Sequence, residues 1–255
     1  MTRISLELVP RNQIQLEEEL AAVARHFPQL HTVNIPDLMR FPVRSWEGCA
    51  TAKQYVPHAI PHIRAIDFSR TAPFPLLDTL RQHGLHEILV VTGDPPPADE
   101  TREDGATAVE LIRLIKQADP NITIYAAIDP YRNGIQQELE YARAKQEAGA
   151  DGFFTQPFFD VRLMEIFYEQ LPDLNIYWGV SPVLAEGSKK YWISRNRAVF
   201  PSHFQPTLEW NWNFGRDALR FAQATGGNIY FMPIRANVVE YLSGILVDER
   251  EAVLA

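Results

Sequence analysis

Short apolar runs and amphipathic stretches alternate along the whole chain, and this alternation predicts the fold class. Ile4-Ser5-Leu6-Glu7-Leu8-Val9 alternates with period two and stops at Pro10, the pattern of a strand. Behind Asn12, a capping residue with Gln15 three positions on, Leu16, Leu20, Val23 and Phe27 recur at helical spacing. The same rhythm repeats. Further strands are expected at His31–Pro36, His62–Asp67, Glu87–Thr92, Ile122–Asp129, Gly152–Gln156, Asn175–Ser181 and Asn228–Ile234.

Helical patterns fall between them. One lies near residues 74–83. Another starts at a cap on Asp104 and carries Val109, Ile112 and Ile115. A third covers 135–148 and is closed by Gly149. Asp160 caps a helix bearing Val161, Met164, Phe167 and Leu171, and the last two cover 214–225 and 237–246. Residues 37–60 read as irregular with one short helix, and 182–212 as a long, aromatic-rich excursion. Residues 247–255, charged and then small, are expected to fray.

Eight strands separated by helices in 255 residues point to a single (β/α)8 TIM barrel, with a doubly wound open sheet as the alternative. There is no linker-like or low-complexity segment, so residues 1–255 read as one domain.

In such a barrel the carboxyl ends of the strands share one mouth, where chemistry is done. The residues at those ends are Glu7, Asn34, Asp67, Asp94, Asp129, Gln156, Ser181 and Arg235. Glu87-Ile88-Leu89-Val90-Val91-Thr92 shows how such an end is made. The apolar run breaks at Gly93-Asp94, and Pro95, Pro96 and Pro97 forbid further ladder bonds. Glu7 lies within its strand rather than beyond it, so an inward-facing acid there needs a partner, Arg64 or Arg235, or a task.

Composition narrows the chemistry. With 46% hydrophobic and 22% charged residues, this is an ordinary globular chain. No apolar run approaches the roughly 18 residues of a membrane span, and the N-terminus reads as a strand rather than a signal peptide. Cys49 is alone, which excludes an internal disulfide and a Cys-based zinc site. Together these fit a cytoplasmic protein without a membrane partner. The net charge of −8 argues against nucleic acid but allows an anionic small molecule held by local cations. The Gly-rich nucleotide loops, the His-Glu-x-x-His zinc motif and the Gly-x-Ser-x-Gly elbow are all missing from the sequence.

Several segments together resemble the methylenetetrahydrofolate reductase family. They are Leu6-Glu7-Leu8-Val9-Pro10, Pro61-His62-Ile63 with Asp67, Gly93-Asp94-Pro95-Pro96, Gly149-Ala150-Asp151, Thr155-Gln156-Pro157-Phe158-Phe159-Asp160-Val161 and Ile234-Arg235-Ala236. The Thr-Gln-Pro-Phe-Phe-Asp run and the Gly-Asp-Pro-Pro turn are the most specific. The resemblance implies a (β/α)8 barrel and a place in one-carbon metabolism and methionine biosynthesis. The implied reaction interconverts 5,10-methylenetetrahydrofolate and 5-methyltetrahydrofolate with NADH or NADPH, in typical members through FAD. It also implies that Glu7 is the general acid that opens the imidazolidine ring. Asp94 and Gln156 would contact the pterin and Arg235 would lie near the folate tail, while Phe204 would stack on the aminobenzoate. Asn34, His62, Thr92 and Lys145 stand at cofactor-facing positions.

The flavin side of the pattern departs from the family. Thr92 stands where typical members have arginine, Asn34 replaces a rim threonine, and Thr107 replaces a tyrosine. On the helix before Gly149, Tyr141 and Ala144 replace an asparagine and an arginine, and only Lys145 is kept. A diphosphate needs several cations or aimed N–H groups. The expectation is a folate site that is kept and a flavin site that is rewritten, with hydride passing through FAD or directly from the nicotinamide. Two other readings stay open at this point: a pterin-binding methyltransferase or corrinoid-linked partner, and a non-catalytic folate-binding or regulatory subunit. The sequence is compatible with a homo-oligomer.

Overall fold

A computed structural model describes residues 2–94 and 104–247; the expected proline turn at Pro95–Pro97 and the expected fraying beyond Val247 lie outside these residues. The elements run β1 (Ile4–Glu7), α1 (Gln13–His26), β2 (Thr32–Ile35), α2 (Ser45–Ala52), β3 (His58–Arg64), a single 3-10 turn (Ala65–Asp67), α3 (Leu77–Gln82), β4 (Glu87–Val91) and α4 (Ala108–Ala118). Then come β5 (Thr123–Ile128), α5 (Ile135–Glu147), β6 (Gly152–Thr155), α6 (Val161–Gln170), β7 (Ile176–Val180), α7 (Glu186–Asn196), α8 (Leu208–Thr225), β8 (Asn228–Phe231) and α9 (Val238–Leu246). The strands form a closed parallel barrel in chain order, β1 pairing with both β2 and β8. This is the (β/α)8 TIM barrel, and α7 is an extra helix in the β7–β8 connection.

Strand alternation sorts the side chains into two layers. Leu6, Val33, Ile35, Ile63, Ile88 and Val90 point outward and join the helices in one large core. Inside the barrel a second core holds Ile60, Leu89, Tyr125, Phe154, Tyr177, Tyr230 and Met232. Phe154 stacks on Tyr177 at 4.2 Å between ring centres, and Tyr125 meets both edge-on. Beneath these rings Arg3 forks onto Glu87 at 2.7 and 2.8 Å, and the Tyr125 hydroxyl donates to the same carboxylate at 2.9 Å. Partly buried charge is tolerable when paired in this way, and this cluster fills the N-terminal end of the barrel, opposite the strand ends.

Several boundaries and caps differ from expectation. β3 starts at His58 rather than His62, with Pro61 inside it. The proline fits because β3 pairs with β4 only from His62 onward, so no ladder toward β4 is broken before that point. The cap of α4 is Thr107, not Asp104. Thr107 accepts from the Glu110 N–H at 3.3 Å, and the Glu110 carboxylate takes the Thr107 N–H at 2.8 Å, a complete capping box. At α1, Asn12 does accept from the Gln15 N–H at 2.9 Å, but the Gln15 side chain turns to Glu19. Finally, α8 begins at Leu208 instead of 214, capped by Thr207. Within its first turns Asn211 bonds both the N–H (2.9 Å) and the carbonyl (3.1 Å) of Val183, tying the excursion back to the end of β7.

Candidate active site

The open end of the barrel is a cavity of about 750 Å³. Five of the eight strand-end residues expected there line it: Glu7, Asp67, Asp94, Asp129 and Gln156. Asn34 stands behind Glu7, fully buried. Ser181 is buried too, but its hydroxyl donates to the Met232 carbonyl at 2.8 Å and its role is structural. Arg235 does not line the cavity. It is exposed, on a backbone in the left-handed region (φ 57°). Phe204 does not line it either. It packs in a satellite cluster beside Phe200 and Trp210, with ring centres at 4.7 and 4.5 Å, and this packing takes up the ring that was expected to stack on a ligand.

At the floor of the cavity three side chains meet. Glu7 and Asn34 are register partners in β1 and β2, so alternation points both inward at one level. The Asn34 amide donates to Glu7 Oε2 at 3.0 Å and lies 3.1 Å from His62 Nε2 of β3. Its Oδ1 accepts from the Ser5 hydroxyl at 2.7 Å. His62 Nε2 is 3.8 Å from Glu7 Oε2. Neither expected arginine partner is used. The Arg64 guanidinium instead donates to the Asp94 carbonyl at 2.9 Å and lies 3.4 Å from Asp67. With no cation beside it, burial pushes the Glu7 carboxyl up to about 8, against a smaller opposing effect of the Asn34 hydrogen bond. Burial likewise pushes the His62 imidazole down to about 3. Both groups are therefore uncharged at pH 7.

The β4 end is shaped by Gly93. Its φ is +88°, and a Cβ there would lie 2.9 Å from Ile66 Cγ2 and 3.0 Å from Arg64 Nε. The turn brings Thr92 onto the cavity wall and leaves Asp94 exposed at its rim, with its carbonyl fixed by Arg64.

The α5 wall carries Glu138, Tyr141 and Lys145, whose spacing of three and seven residues puts them on one face. Lys145 is buried. Its ammonium donates to the Ala127 carbonyl, lies 3.8 Å from Glu138 Oε1 and sits 3.9 Å from the centre of the Tyr141 ring. Burial brings it down to about 8. Glu138 Oε1 accepts the Asp129 N–H at 3.0 Å, while its Oε2 is buried without a hydrogen-bond partner among the described residues. A flavin diphosphate would meet a committed lysine and a buried carboxylate here. The residues of this wall do not fit that group. Arg40 and Arg132 are exposed cations on the rim, Arg132 with its Nε 3.5 Å from Asp129, and both are within reach of an anionic ligand portion. Glu138 was not singled out from the sequence, though its spacing to Lys145 on one helix face is visible there.

Among the described residues no helix is long and apolar enough to cross a membrane, and no group of three or more His, Cys, Asp or Glu side chains could hold a metal ion.

The chain is similar to known proteins in sequence and in fold. The family model described as methylenetetrahydrofolate reductase matches residues 2–209. A 5,10-methylenetetrahydrofolate reductase of Salmonella typhimurium is 29% identical over 151 residues, covering 56% of this chain and 50% of the relative. A probable methylenetetrahydrofolate reductase (NADPH) of Caenorhabditis elegans is 25% identical over 158 residues, covering 58% of this chain and 24% of the relative. The matched segments thus span half or less of the length of these relatives. Among solved structures, a Clostridium thermocellum protein described as binding two copies of 5-methyl-5,6,7,8-tetrahydrofolic acid superposes with a TM-score of 0.60 at 13% identity, covering 100% of this chain and 96% of the other. A 2,3-dimethylmalate lyase superposes at 0.61 with 12% identity, covering 99% and 80%. At these identities the structural likeness speaks to the barrel alone.

Proposed function

The chain belongs to the methylenetetrahydrofolate reductase family, and we propose that it interconverts 5,10-methylenetetrahydrofolate and 5-methyltetrahydrofolate, with hydride passing directly between the folate and NADH or NADPH. The observation that carries this reading is Glu7, a carboxyl on the cavity floor that burial keeps protonated at neutral pH. A neutral acid in a water-poor site can give its proton to the amine nitrogen that leaves when the five-membered ring opens. The resulting iminium carbon accepts hydride from the nicotinamide ring and becomes the methyl group. Methylene-folate, one proton and one hydride give methyl-folate, and the dinucleotide leaves oxidised. In the reverse direction Glu7 recovers the proton.

Asp94 and Gln156, beyond the ends of β4 and β6 in the mouth, offer the acceptors and donors that a pterin edge needs. Hydride transfer requires both ligands in the cavity together, about 3–3.5 Å apart at the reacting atoms. The unsuitable α5 wall is the reason for proposing direct transfer, and no step is routed through a flavin. The rim cations Arg40 and Arg132 are suited to the phosphates of the nicotinamide dinucleotide.

Absorbance at 340 nm tests this reading. Purified protein should oxidise NADH or NADPH only when methylenetetrahydrofolate is present, and added FAD should not raise the rate. Absence of turnover with both dinucleotides, with and without FAD, would refute it.

A further inference from the structure

Asn34 is buried between Glu7 and His62, and the way its amide is turned decides what surrounds Glu7. We infer that Asn34 is a positioning residue that donates one amide N–H to Glu7 Oε2 and the other to His62 Nε2, so that the Glu7 proton is carried on Oε1 and His62 stands as the uncharged Nδ1–H tautomer. For the part played by Glu7 in turnover, this rests on the function proposed above; the arrangement of hydrogens does not.

The geometry assigns each hydrogen. Asn34 Nδ2 lies 3.0 Å from Glu7 Oε2 and 3.1 Å from His62 Nε2, and an amide nitrogen has two hydrogens to give. Its Oδ1 is already taken by the Ser5 hydroxyl at 2.7 Å. Ser5 and Asn34 are fully buried, so water does not substitute for these partners. Because Oε2 is an acceptor in this arrangement, a proton on Glu7 belongs on Oε1. Because His62 Nε2 is an acceptor too, its ring proton belongs on Nδ1.

Two consequences follow for a group that must lose and regain a proton. First, an N–H donor satisfies Glu7 in both states: it supports the carboxylate and still bonds the protonated acid. The flipped amide would face the carboxylate with its oxygen and would repel it after each proton transfer. Second, an imidazolium would need an N–H at Nε2, aimed at another N–H. Asn34 blocks that form and so keeps a cation away from a point 3.8 Å from Glu7. Burial acts in the same direction on both groups.

Among the described residues no other charged side chain hydrogen-bonds to or pairs with Glu7 or His62. Tyr230 of β8, whose phenol burial keeps neutral, donates to the Thr155 carbonyl at 2.5 Å. Arg64 of β3 is turned to the Asp94 carbonyl and Asp67. Asp37, beyond β2, is paired with Arg44.

Nuclear magnetic resonance of 15N- and 13C-histidine-labelled protein tests the assignment without any turnover. The His62 signals are identified by their loss in His62→Gln. The expected result is a single neutral Nδ1–H ring from pH 8 down to pH 5. In Asn34→Ala the Nε2–H form should appear and the protonation midpoint of His62 should rise by about one unit or more. The high-pH limb of the kcat profile should then move up, because the Asn34 hydrogen bond that favours the Glu7 carboxylate is gone, with KM little changed. An Nε2–H tautomer or an imidazolium in the native protein over that range would overturn the inference. So would an Asn34→Ala protein with native His62 signals and a native pH profile. The native measurement decides by itself if that variant does not fold. A protein with the Nδ1–H ring but no folate turnover would sink the function and leave this arrangement standing.

Discussion

Glu7→Gln should make the protein more stable while removing its turnover. The carboxyl is buried, with a pKa raised from 4.5 in the free side chain to about 8 in the fold. The sign follows from linkage. Below pH 4.5 both folded and unfolded chains hold this proton, and Glu7 costs nothing through ionisation. As pH rises from 4.5 towards 8, only the unfolded chain releases it, so stability falls through that window and levels off above. At pH 7 the gap of about 2.5 units corresponds to roughly 3 kcal/mol, at about 1.4 kcal/mol per unit. Glutamine carries no such cost and can still accept the Asn34 N–H, but its own amide needs an acceptor. A net gain of about 1–3 kcal/mol is therefore expected, or a rise in Tm of roughly 3–8 °C for a chain of this size. Against this gain, loss of a general acid lowers kcat by about 10²- to 10⁴-fold. Thermal melts of both proteins from pH 4 to 9 and NAD(P)H oxidation at pH 7 provide the two readouts. A Glu7→Gln protein no more stable than the parent at pH 8, or one retaining near-native kcat, would refute the reasoning.

Three further outcomes can be checked. The pH profile of kcat/KM should fall above about pH 8, where Glu7 loses its proton, whereas a flat profile between pH 7 and 9.5 would contradict a protonated acid. Gly93→Ala, forced to φ +88° and into Ile66 and Arg64, should cost about 1–3 kcal/mol in denaturant unfolding and raise the KM for folate by moving Asp94; an unchanged KM would show that this turn does not set the site. Phe204→Ala should lose roughly 3–5 kcal/mol of stability, because the ring is packed against Phe200 and Trp210, and should leave the folate KM of the folded fraction near native. A KM several-fold higher would return Phe204 to the ligand.

The barrel was legible because its two periods, two and 3.6, are local. Alternation in Ile4–Val9 already turned Glu7 inward, and the helical faces separated one strand from the next. What was hidden depended on pairing or competition. Pro61 disguised the first half of β3, since its cost vanishes only when the neighbouring ladder starts later. Asp104 and Thr107 are both competent caps, and Glu110 decides between them by closing the box on Thr107. The Trp- and Asn-rich first turns of α8 looked like loop because their stability comes from Asn211 bonding Val183 across the chain.

The site divides in the same way. That Glu7, Asp94 and Gln156 stand at strand ends could be read from the chain. That Asn34 is the partner of Glu7 could not, because it follows from the β1–β2 register across 27 residues. The spacing of Glu138, Tyr141 and Lys145 was visible, but the commitment of Lys145 to Ala127 and Glu138 exists only in three dimensions. Phe204 shows the opposite case, an aromatic residue in a suggestive stretch that packing had already used.

Direct hydride transfer at a site built on a neutral Glu7 is tested most directly by following the hydride itself. Protein free of flavin would be given methylenetetrahydrofolate and NADH or NADPH carrying deuterium at both C4 positions of the nicotinamide, in ordinary water. Mass spectrometry of the product should find 5-methyltetrahydrofolate with one deuterium in its methyl group. A methyl group carrying only protium would mean that the hydride passed through a carrier exchanging with water, and that result, or no methyl product at all, would contradict the account.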